Sequence, residues 1–83
     1  MAIHERFDKR TETLIEHYLI CAIKVFRSRS EDAQTALEEV VKQLLGGPKN
    51  AVQEAGLRYS GISLKDRSDP NLPPEQIAQW IMQ

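Results

Sequence analysis

His17 and Cys21 stand four residues apart in the stretch Leu14 to Phe26, "LIEHYLICAIKVF". On a helix that spacing aims both side chains the same way, as two ligands of one metal ion must be aimed. A zinc site needs three or four protein ligands, however. The other histidine, His4, lies about three and a half turns away along the same helix, too far to share an ion. No metal is therefore expected, and Cys21, the single cysteine, reads as a small buried hydrophobe.

Other chemistries fare no better. There is no Gly-x-Ser-x-Gly frame and no histidine spaced to activate a nucleophile. Glu38 and Glu39 are adjacent, so on a helix their carboxylates splay apart instead of converging. Gly46 and Gly47 lack the Lys-Ser/Thr partner of a phosphate loop. The expectation is a protein with no catalytic residue, no cofactor and no small-molecule substrate, hence not an enzyme.

Two residue sets suit recognition instead. Lys49, Asn50, Gln53 and Arg58 fall on the second arm of a helical hairpin with the outline of a helix-turn-helix. Asn and Gln amides pair with adenine edges, and Lys or Arg meets phosphate or guanine. Ile77, Trp80, Ile81 and Met82 form an apolar edge near the chain end, and Ile20 and Ile23 belong to the apolar middle of the first helix. These six are the expected partner-binding residues, because aromatic residues and Met are enriched at protein interfaces.

The elements that position these residues follow from periodicity. Ile3, Phe7, Leu14, Tyr18, Cys21 and Val25 make one stripe on a 3.6-residue period, and no Gly or Pro interrupts residues 1–45, which predicts a helix over 3–28. Its centre carries ten apolar residues in thirteen, too short a run and too polar at Glu16, His17 and Lys24 to span a bilayer. Such a segment demands cover on several sides. Ser30 caps a second helix over 30–45, whose buried face is Ala33, Ala36, Leu37, Val40, Val41, Leu44 and Leu45. "GGP" stops it, and Pro48 opens a third helix over 48–59. Residues 60–74 read as a long loop and 75–83 as a short helix that exists only if it docks.

The whole is one all-α domain, residues 1–83, of three to four helices. Eighty-three residues leave a thin stability margin, which favours an oligomer. Eleven basic against twelve acidic residues give a net charge of −1, which argues against a surface built wholly for nucleic acid. Arg27 and Arg29 in "FRSRS" suit the negative end of the first helix. With no secretory leader in view, the cytoplasm is the expected compartment. The expected function is protein–protein interaction as a homo-oligomer or subunit, with a nucleic-acid-binding regulator as the alternative.

Overall fold

The computed structural model describes residues 6–83, and every described element is helical. The order is α1 (Lys9–Ser28), α2 (Glu31–Leu45), α3 (Ala51–Ser60), α4 (Leu64–Ser68) and α5 (Pro74–Met82). The all-α expectation is met. Ile3 and His4 lie outside the described residues.

The first helix starts at Lys9, later than its periodic stripe implied. Asp8 is its N-cap in extended conformation, and the Glu12 carboxylate turns back to accept the Phe7 amide at 3.1 Å. That bond fixes the entering chain outside the helix while Phe7 packs against the core. Arg29, at φ 54°, closes the other end in the left-handed region and donates its amide to the Val25 carbonyl. Ser30 then caps α2 as expected, its hydroxyl accepting from the Ala33 amide at 3.2 Å.

Two boundaries are corrected. Pro48 does not open α3; residues 46–50 form the turn, and Asn50 takes φ 73° immediately before the helix. Asn tolerates this left-handed geometry because its short amide stabilises local turns, so the helix begins at Ala51, three residues later than expected. Residues 60–74 are not all loop, since they hold the short helix α4. Its start is set by Ser63, whose hydroxyl accepts from the Asp66 amide at 3.1 Å.

Helix α1 is the axis of the molecule, and α2, α3, α4 and α5 all pack against it. Ile15 joins Val40, Leu44, Ala51 and Ala55 in one core cluster, while Leu19 and Ile23 join Ile62, Ile77 and Ala78 in the other. Tyr18 and Met82 touch both. The apolar segment 14–26 thus finds its cover within its own chain: Ile15, Leu19, Ala22 and Ile23 are buried, and Phe26, at 39% exposed, lies beneath the Arg67 guanidinium. On α2 the outcome differs from the expected face. Val40 and Leu44 are buried, but Ala36 is exposed and Leu45 is 69% exposed.

Candidate interaction surface

The six residues expected to bind a partner divide in two. Ile23 and Ile77 are buried in the second core cluster, and Ile20, Ile81 and Met82 are partly buried against it, because α5 docks on its own domain. Ile23 and Ile77 give their whole side chains to the fold, whereas Ile20, Ile81 and Met82 keep part of theirs at the surface. Trp80 alone of the set stays half exposed, at 50%. It sits on the edge of α5 beside Ile77, three residues along the same helix.

The four residues expected to read nucleic acid divide as well. Lys49, Asn50 and Gln53 are exposed and line one shallow concavity of about 420 Å³ with Leu45, Pro48 and Val52 at the α2–α3 turn. A second concavity, of about 230 Å³, adjoins it along α3, sharing Asn50 and Gln53 and ending at Leu57, which is 57% exposed. Arg58 is not on this surface. It is 3% exposed, its Nε 2.7 Å from a Glu54 carboxylate oxygen and its Nη1 3.1 Å from a Glu12 oxygen. Arg58 and Glu54 are four apart on α3, a spacing that brings them together on the buried side of the helix, where the arginine crosses to α1.

The electrostatics of that cluster are internal. Burial works to raise the Glu12 carboxyl, but hydrogen bonds from Arg58 and the Phe7 amide, with attraction to Arg58 and Arg6, outweigh it and hold the group below its usual range. Desolvation disfavours the Arg58 charge, yet Glu12 and Glu54 more than offset it and raise its affinity for the proton. Both groups are engaged within the fold, although the Glu12 side chain keeps 24% of its surface exposed.

Two further arginines also turn inward, and neither role was visible in the sequence. Arg27 donates from Nε to the Arg67 carbonyl, from Nη1 to the Leu72 carbonyl and from Nη2 to the Asp66 carbonyl, at 2.7, 2.7 and 3.0 Å. Arg67 lies over the rings of Tyr59 and Phe26, at 4.6 and 5.5 Å from their centroids, and donates to the Ile62 carbonyl. Partners about 40 residues distant leave no local signal, apart from the Ser63-x-x-Asp66 start of α4.

His17 is exposed on α1 and Cys21 is half buried; no metal-holding group of His, Cys, Asp or Glu occurs among the described residues. Burial pushes the Cys21 thiol up despite Lys24 nearby, the opposite of the shift that activates a cysteine. Among the described residues no helix is long and apolar enough to cross a membrane. No protein-family model, curated protein or solved structure matches this chain.

Proposed function

We propose that this chain is a small non-enzymatic protein–protein interaction protein, working as a homo-oligomer or as a subunit of a larger assembly. The observation that carries the reading is the distribution of large apolar side chains. Leu45, Leu57, Leu64 and Trp80 are 69, 57, 66 and 50% exposed in a domain whose core consists of two small clusters. Single exposed leucines are ordinary on protein surfaces. A half-exposed tryptophan is the side chain most enriched at interface hot spots, Leu45 and Leu57 border concave surface elsewhere on the molecule, and apolar area buried by a partner contributes about 25 cal/mol per Å².

Trp80 is the sole tryptophan, so its fluorescence reports directly on cover at α5. Association through this edge shifts its emission to the blue, in a chain that sediments above its monomer mass of 9.5 kDa. Emission and sedimentation independent of concentration, both for the pure protein and in its native cell extract, would refute the reading.

A second reading, a small nucleic-acid-binding regulator, draws on the grouping of Lys49, Asn50 and Gln53 around one concavity. Arg58 drops out of it, leaving Lys49 as the one cation among those lining residues. One phosphate contact contributes a salt slope of only about 0.9, so binding to duplex is expected to be weak and confined to low salt. Lys49→Glu should abolish it.

A further inference from the structure

We propose that the hollow between the start of α1 and the end of α2 is a binding site for a small zwitterion, a free aliphatic α-amino acid. The site goes beyond the protein-interaction reading and stands independently of it. Its volume of about 260 Å³ is below that of sites for drug-sized ligands and suits a molecule of a few heavy atoms.

Thr11 points to a ligand. It is 4% exposed, lines this hollow, and its hydroxyl makes no hydrogen bond to any described residue. Buried hydroxyls are ordinarily paired, so one left open toward a cavity stands where a ligand's polar atom would satisfy it. Gly47 sets the direction. A methyl group placed there would lie 4.0 Å from Thr11 Oγ1, nearer than any other side-chain atom, so the hydroxyl faces the open side of the glycine across the hollow.

The walls carry both signs. From α1 come Arg10 and the positive helix end, whose first amides have no helical carbonyl to bond and are not capped by the Asp8 side chain. From α2 comes the negative end. The Gly46 amide goes to the Lys42 carbonyl and the Gly47 amide to that of Leu44, which passes over the Gln43 carbonyl, 3.8 Å from the same methyl position. The Asp8 carboxylate also lines the hollow. A simple anion would meet Asp8 and the α2 carbonyls, and a simple cation would meet Arg10 and the α1 amides. A zwitterion satisfies both walls. Its carboxylate takes Arg10, the α1 amides and the Thr11 hydroxyl, and its ammonium donates to Asp8 and the Gln43 carbonyl. Leu14 and Pro48 complete the lining with an apolar surface for a short aliphatic side chain.

The test is titration of the full chain with L-valine, followed by calorimetry and amide chemical shifts. Two analogues accompany it: isovalerate, which lacks the ammonium group, and isobutylamine, which lacks the carboxylate. Valine should bind with a Kd of about 1 mM or tighter and shift the amides of Thr11, Gly46 and Gly47, and each analogue should bind at least about 10-fold more weakly. Thr11→Val removes the hydroxyl at nearly constant shape. It should weaken valine about 10-fold and leave thermal stability unchanged or higher, because no bond within the protein is lost. Gly47→Ala places its methyl at ordinary contact distances, 3.5 Å at the closest, and should exclude the ligand with circular dichroism unchanged. No shift at these amides with about 20 mM valine, well above that Kd, overturns the proposal. Isovalerate or isobutylamine binding as tightly as valine overturns the zwitterion as the ligand. Valine binding that ignores both substitutions overturns this hollow as its site.

Discussion

At the N-terminal end of α1 the crossing is made by Arg58 of α3, buried between the carboxylates of Glu12 and Glu54. At the C-terminal end Arg27 reaches outward from α1 and gives its N–H groups to three backbone carbonyls of α4 and the segment after it. The two guanidiniums hold the same helix against different neighbours by different means. An arginine among carboxylates depends on charges that had to be taken out of water, and it fails badly when one partner is lost. An arginine on carbonyls ties down the backbone it reaches, here the end of α4 and Leu72 beyond it, and its loss frees a local segment while the core remains.

Arg58→Leu is the change that breaks the comparison most severely. It leaves Glu54, 7% exposed at its side chain, buried without its principal cation, and costs about 3 to 5 kcal/mol. Urea unfolding measures it. In so small a domain such a loss approaches the whole of the stability. A loss below about 1 kcal/mol would mean that the Glu54 side chain reaches water once Arg58 is gone, and that the cluster is not a fold determinant.

Arg27→Lys should cost less and act locally. The charge stays, but an ammonium cannot reproduce a fork that serves three carbonyls at once, so one or two charge-assisted bonds are lost, about 1.5 to 3 kcal/mol at most. Hydrogen exchange should quicken at the amides of α4 and leave those of α3 unchanged. Equal acceleration in both helices would show that the two ends of α1 open together.

The same contrast explains what could be read from the sequence. Helices α1, α2 and α5 announce themselves through local features: a 3.6-residue stripe, a Ser30 cap, and a proline start ahead of Ile77, Trp80 and Ile81. All three exist with only their edges revised. The arginines had no such signal. Arg58 reads as an exposed recognition residue because a helical wheel cannot know that Glu12, 46 positions away, waits on the next helix. Arg27 reads as a cation at a helix terminus for the same reason. Of the recognition sets, Lys49, Asn50, Gln53 and Trp80 are exposed, although Lys49 and Asn50 lie in the turn before α3 and not on the helix periodicity assigned them to, while Ile23 and Ile77 disappear into the core they build.

Acid should separate the two ends with the smallest perturbation. The folded state holds the Glu12 carboxyl below its usual value of 4.5, so the unfolded chain takes up that proton first as pH falls. The associated stability is complete above 4.5 and drains away as pH falls through the lower folded value. The Arg27 fork has no titrating partner, because a guanidinium stays charged and carbonyls do not ionise. Acidification below 4.5 should therefore loosen the contact of α3 with the start of α1 before it touches α4. Glu12→Gln supplies the check: it should be less stable than wild type at neutral pH, and the two should converge as the medium becomes acid. Parallel pH profiles would show that Glu12 contributes through packing and neutral hydrogen bonds alone, and the charge-based half of the comparison would fall.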